Sequence, residues 1–233
     1  MMNRNTTIYN RRMKMADLVA SDMSLLSILQ RLDIALGFGE ATVADVCAQH
    51  GISADLFLMI CNIYSFRDYR PQIETLTDDD IRSITTYLRA SHKFYSTICL
   101  PALHNNIHRM VKELDEISRK LIDKFYDDYD NEVTSHFQYE EEVVFPYIEK
   151  LLNDKKGGEF RISLFGHSHG NVNEKLTDLS NIIIKYLNKE YTSQLRFEIL
   201  SDIHSIGNDL LKHSDIENRL LVPLVGKIEQ RYE

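Results

Sequence analysis

Two short stretches of this chain repeat one chemical pattern. His136 is followed at four residues by Glu140 and at ten by Pro146, and His213 is followed in the same way by Glu217 and Pro223. Both read H-x-x-x-E-x-x-x-x-x-P, within segments of helical periodicity. A His and a Glu four residues apart on a helix stand one above the other on one face. An imidazole and a carboxylate stacked in that way make two ligands of a metal site. Two such halves suggest two ions that share the carboxylates.

The remaining ligands come from the core-facing stripes of the other helices. At 100° per residue, His92 shares its stripe with Leu88, Tyr95, Cys99 and Leu103, and His136 with Val133, Val143 and Tyr147. His169 falls with Ile162, Phe165, Leu176 and Ile183, and His213 with Leu210, Leu220 and Leu224. Glu140 and Glu217 lie on the stripes of their own histidines. An unpaired carboxylate buried there costs several kcal/mol or takes up a proton; a cation removes that cost. The expected metal set is therefore His92, His136, Glu140, His169, His213 and Glu217. Each of two ions would take two imidazoles and one oxygen of each bridging glutamate, which leaves positions for an oxo or hydroxo bridge, water or a diatomic molecule. Mixed nitrogen and oxygen donors with open positions favour iron or manganese over a closed structural zinc site, and iron is the expectation. A single H-x-x-x-E pair is often only a helix ion pair. Two copies with matching prolines, together with a core-facing histidine on each remaining helix, argue against coincidence. His204 and His167 turn away from His213 and His169, and His104 and His108 are rotated away from His92, so these read as surface or supporting residues. Tyr95, Tyr139 and Tyr147 read as packing residues near the site, and Glu141 and Glu142 as solvated acids.

Elements that could hold such a set are all helical. Residues 15–65 read as short helices, with Gly51 ending one and Ser53 capping the next. Thr77 followed by Asp78, Asp79 and Asp80 reads as a new helix start. Four long stretches follow, at about 79–126, 130–153, 160–188 and 191–229, with breaks expected at Asp127 to Asn131, at Lys156-Gly157-Gly158 and at Leu187 to Glu190. Pro101 should bend or interrupt the first. The expected fold is all-α: an antiparallel four-helix bundle over 76–233 with a small helical N-terminal domain over 1–75.

Composition narrows the function classes. With 43% hydrophobic and 27% charged residues the chain is an ordinary globular one, and a net charge of −8 disfavours nucleic acid and anionic lipid as partners. A helix-turn-helix reading of the N-terminal domain fails on charge, since no Lys or Arg lies between Arg31 and Arg67 while Asp33, Glu40, Asp45 and Asp55 do. That domain is expected to pack on a protein surface, its own bundle or another subunit, which allows a homodimer. Isolated Cys47, Cys61 and Cys99 form no metal or disulfide pattern. With neither an apolar leader nor a run of about 18 apolar residues, the expected location is the cytoplasm.

These motifs resemble the hemerythrin-like (HHE cation-binding) family, and within it the di-iron proteins for repair of iron centres. The pattern H-x-x-x-E-E-x-x-x-F-P is met by His136, Glu140, Glu141, Phe145 and Pro146, and H-x-x-x-E-N-x-x-x-x-P by His213, Glu217, Asn218 and Pro223. His169 follows Ile162-Ser163-Leu164, and His92 precedes Leu100-Pro101. Residues 30–63 are similar to the small N-terminal domain of the same proteins, but its adjacent cysteines are replaced here by Leu36 and Gly37. The resemblance implies a non-haem di-iron site bridged by Glu140 and Glu217. It also implies a role in nitrosative or oxidative stress and iron–sulfur cluster repair, with O2 or NO as small ligands and iron–sulfur proteins as partners. An O2 or NO carrier or sensor without catalysis and a ferritin-like ferroxidase are the alternatives, so enzymatic activity stays open.

Overall fold

The computed structural model describes residues 8–154, 160–165, 171–187 and 193–232. Its elements are helical throughout, apart from one isolated antiparallel bridge between Lys14 and Thr42. The helices are α1 (Met15–Ser21), α2 (Leu26–Arg31), α3 (Val43–Gln49), α4 (Ala54–Ser65), α5 (Asp78–Phe94), α6 (Leu100–Val111), α7 (Glu116–Tyr139), α8 (Phe145–Asp154), α9 (Ile162–Phe165), α10 (Asn171–Lys185), α11 (Ser193–Ile216) and α12 (Val222–Tyr232). None of the described helices is long and apolar enough to cross a membrane. The chain divides into two compact units, Met1–Ala90 with Asp215–Val225, and Ser91–Ser214 with Gly226–Glu233.

In the first unit the short helices start and stop where side-chain chemistry requires. Thr42 and Asp45 form a reciprocal capping box at the start of α3, with Thr42 N donating to Asp45 Oδ2 at 2.9 Å and Asp45 N to Thr42 Oγ1 at 3.2 Å. Gly51 follows that helix with φ +65°, the left-handed conformation a glycine adopts at least cost. Ser53 caps α4 through the Leu56 N–H, and Thr77 and Asp80 repeat the reciprocal arrangement at the start of α5. Leu18, Leu25, Ile28, Val43, Cys47, Phe57 and Ile63 are buried as its core.

The second unit packs one core from segments of four long helical rods. Leu103 and Ile107 on α6, Tyr129 and Val133 on α7, Leu179 and Ile183 on α10, and Ile199 and Ile203 on α11 all belong to it. The first connection differs from expectation. Residues 127–131 lie inside α7; the chain turns at 112–115 instead, where both the Ile117 and Ser118 N–H groups donate to Asp115 Oδ1 at 3.0 Å. Asp127, Asp128, Asp130 and Asn131 looked like turn residues. In the helix Asp127, Asp128 and Asn131 are exposed and Asp130 half-buried, while Tyr126, Tyr129 and Val133 carry the buried face. Tertiary burial overrides weak local propensity there. The glycine pair at 157–158 and most of the connection after Leu187 lie outside the described residues.

Each long helix that carries a proline contains a wide turn just before it. Tyr95–Cys99, Glu140–Val144 and Glu217–Leu221 are π-helical, and each ends two residues before Pro101, Pro146 or Pro223. The N–H groups of Leu100, Phe145 and Val222 reach back five residues, to the carbonyls of Tyr95, Glu140 and Glu217. Proline lacks the N–H for a regular turn, and its ring collides with the carbonyl four residues back. The extra residue relieves that clash without breaking the rod. It also moves the buried stripe. Val143, placed in the core by regular 100° steps, is 38% exposed and Tyr147 is only half-buried, whereas Val144 and Ile148 are fully buried.

Candidate metal centre

The wide turns open on the residues that matter. Glu140 and Glu217 are each the first residue of a π segment and sit one turn beyond His136 and His213. Both carboxylates are completely buried, and His92 and His213 are only 5% and 1% exposed. One ligand atom from each of His92, Glu140, His213 and Glu217 lies within 4.8 Å of the others.

Around Glu140 the geometry is close. His136 Nε2 lies 2.8 Å from Oε1, and His92 Nε2 and His213 Nε2 lie 3.0 and 3.9 Å from Oε2. The two Nε2 atoms of His92 and His213 are 3.3 Å apart. Yet among the described residues neither Glu140 oxygen receives an aligned hydrogen bond. Imidazole nitrogens and carboxylate oxygens gathered this closely in a buried place are the donor types that bind a cation. Ligand atoms of one bound ion stand about 3 to 4 Å apart, the range these contacts span. Burial pushes the Glu140 carboxyl up, but the surrounding imidazoles, His136 first and then His213 and His92, hold it well below the usual carboxylate range. The donor set suits a cation.

Further residues position these ligands. His92 Nδ1 is 2.9 Å from Glu141 Oε1, which orients the ring and leaves Nε2 facing Glu140. Glu141, read from the sequence as a solvated acid, therefore belongs to the site; its side chain is 31% exposed. The signal for it in the sequence was the second glutamate directly after the first. The His92 ring is stacked on Phe137 at 4.3 Å and on Phe145 at 5.7 Å between centroids. Tyr95 packs edge-on to His213 at 5.9 Å and donates its hydroxyl to Asp209 at 2.7 Å. Tyr147 donates to Glu229 Oε1 at 2.5 Å, and Tyr139 is 40% exposed.

Of the six residues singled out by spacing, five lie among the described residues, and His169 lies outside them, as does His167. His136 joins the cluster through Glu140 and is the more open imidazole, its side chain 15% exposed. His204 is exposed with Nε2 beside Asn208 at 2.9 Å, and His104 and His108 are exposed with rings 6.4 Å apart. None of these three enters the cluster.

An all-helical chain whose buried imidazoles and carboxylates converge in this way is a cation-binding bundle. The model of the hemerythrin HHE cation binding domain matches residues 100–229, more than half of the chain, and the protein belongs to that family. The match contains both His–Glu pairs and begins eight residues after His92. No curated protein matches the chain.

Proposed function

We propose that this protein is a non-haem di-iron protein that acts in the cytoplasmic response to nitrosative or oxidative stress, in the repair of iron–sulfur clusters. One observation carries the metal part: the fully buried Glu140 carboxylate lies among three imidazole nitrogens at 2.8, 3.0 and 3.9 Å from its oxygens, in a buried cluster that also holds Glu217. In this reading His92, His136, His169 and His213 supply nitrogen, and Glu140 and Glu217 bridge. Iron bound there would supply reversible one-electron chemistry and affinity for O2 or NO.

The chain's own residues do the rest. The carboxylates offset the charge of the ions, and the imidazoles bind as neutral ligands. Glu141 holds the His92 ring with Nε2 inward, and Phe137 and Phe145 keep water from its faces. Cys47 and Cys61 are buried and Cys99 partly buried, and none of the three forms a disulfide, in keeping with a reducing compartment. The repair role rests on the paired motifs around His136 and His213 that resemble those of the repair proteins.

The test is reconstitution with Fe(II), followed by metal analysis and near-ultraviolet absorption. The expected outcome is roughly two irons per chain, and restored activity of a NO-damaged iron–sulfur enzyme when the loaded protein is added. Reversible O2 or NO spectra without that rescue point to a carrier or sensor, and repeated O2 consumption with added Fe(II) points to a ferroxidase. Protein that binds no iron overturns the reading.

A further inference from the structure

On α6 the apolar residues Leu100, Leu103, Ile107 and Met110 are buried in the core of the second unit. His104 and His108 stand four residues apart beside that face, both exposed. Their rings are nearly parallel, 19° between planes and 6.4 Å between centroids. The His104 ring packs edge-on against Tyr126 of α7 at 5.2 Å. Tyr126 is itself fixed, since its hydroxyl donates to the Leu100 carbonyl at 2.7 Å. Carboxylates gather at the same place. Burial first, and then the charges of Asp130 and Asp127, push the Tyr126 phenol up, so both acids lie near the ring that His104 touches. Asp130 and His104 line one open cleft of about 390 Å³, together with Ser96 and Thr134. Among the described residues neither imidazole takes part in a hydrogen bond or an ion pair.

We propose that His104 and His108 form a separate metal site, a two-imidazole chelate for a divalent late transition ion such as zinc, with Asp130 beside it and water in the remaining positions. Two imidazoles one turn apart present nitrogens to one ion from the same helix face. Both side chains are exposed, so rotation about their side-chain bonds brings the two nitrogens onto the ion at little cost. Once one imidazole is bound, the second binds as an intramolecular ligand, which raises affinity about 100-fold over a single histidine. The neighbouring carboxylates favour the positive charge. His204 offers the contrast. It is also exposed on a helix of this unit, but the residue four places on is Asn208, whose amide lies 2.9 Å from its Nε2. The inference concerns residues outside the buried cluster and holds whether or not that cluster carries iron.

Titration of the full-length protein with Zn(II) tests it, with wild type and variants side by side, so that ions taken by the buried cluster count equally in all. One Zn(II) per wild-type chain should bind in a step that weakens about 100-fold in His104→Ala and in His108→Ala. Asp130→Asn should weaken that step about fivefold, and His204→Ala should leave it unchanged. With Cu(II) in place of zinc, electron paramagnetic resonance should show coupling to two imidazole nitrogens in wild type and to fewer in either histidine variant. Helical circular dichroism should be the same throughout, which separates loss of the site from loss of the fold. Equal zinc affinity and stoichiometry in wild type and the two histidine variants would overturn the proposal. So would an equal loss in His204→Ala, or a wild-type step seen only at about millimolar Zn(II).

Discussion

The two His–Glu pairs share a spacing but differ in their surroundings. At the first, His136 is partly open to solvent, Glu140 lies against three imidazoles, and the next residue, Glu141, reaches across to His92. At the second, His213 and Glu217 are almost fully buried, and the residue after Glu217, Asn218, is exposed. Two residues beyond Glu217, Arg219 turns to Asp215 at 3.7 Å and donates to the Tyr69 carbonyl. One pair therefore carries support for a neighbouring ligand, and beside the other Arg219 holds the backbone at Tyr69 within the first unit. Identical local motifs thus serve unequal structural purposes.

The largest effect expected at the two pairs is on metal content. Glu140→Ala and Glu217→Ala should each leave well under half of the wild-type iron, because both carboxylates belong to the buried ligand cluster. His204→Ala should leave iron content unchanged. Metal analysis of purified proteins decides, and equal retention in all three removes the basis for the comparison.

Next in size is the supporting acid. Glu141→Gln keeps the shape but weakens the acceptor for His92 Nδ1, and losses of about 10–100-fold in metal affinity are usual for such partners. Asn218→Ala, at the corresponding position of the second pair, should change affinity less than about twofold. Competition with a chromogenic chelator measures both.

A smaller effect concerns acid stability of the iron-free protein. The folded carboxyl of Glu140 is held below its ordinary value by the imidazoles. Its contribution is thus present above the unfolded carboxylate range, about pH 4.3, and is lost as pH falls further through the folded value. Denaturant titrations from pH 6 to 3 should show a steeper acid decline for wild type than for Glu140→Gln. Iron-loaded protein should fail earlier, releasing metal from about pH 6 downward as imidazoles protonate.

The smallest effect separates thiols. Burial pushes the Cys47 thiol up to about 11, so at pH 8 only a minute fraction is thiolate. Alkylation by iodoacetamide should label partly buried Cys99 well before Cys47, as read by mass spectrometry.

Much of this was legible in the order of residues. The spacing of His136 to Glu140 and of His213 to Glu217 is a local property of a helix, and so are the caps at Thr42, Ser53 and Thr77, because each depends on neighbours within a turn. The break at 112–115 was not legible: Asp127 to Asn131 is as good a turn by local chemistry as Lys112 to Asp115, and burial of Tyr126, Tyr129 and Val133 selects between them. Nor was the place of Glu141, since regular 100° steps point it to solvent. Its contact with His92 joins helices 49 residues apart in the chain, which local spacing does not carry.

Sequence alone thus determined that this chain is helical, that it carries two imidazole–carboxylate pairs, and which family it resembles, since periodicity and spacing are short-range quantities. Tertiary structure alone decided where the rods turn and which of the glutamates beside Glu140 reaches another helix. Those outcomes depend on wide turns and on packing between residues far apart in the chain, and no local rule carries that information.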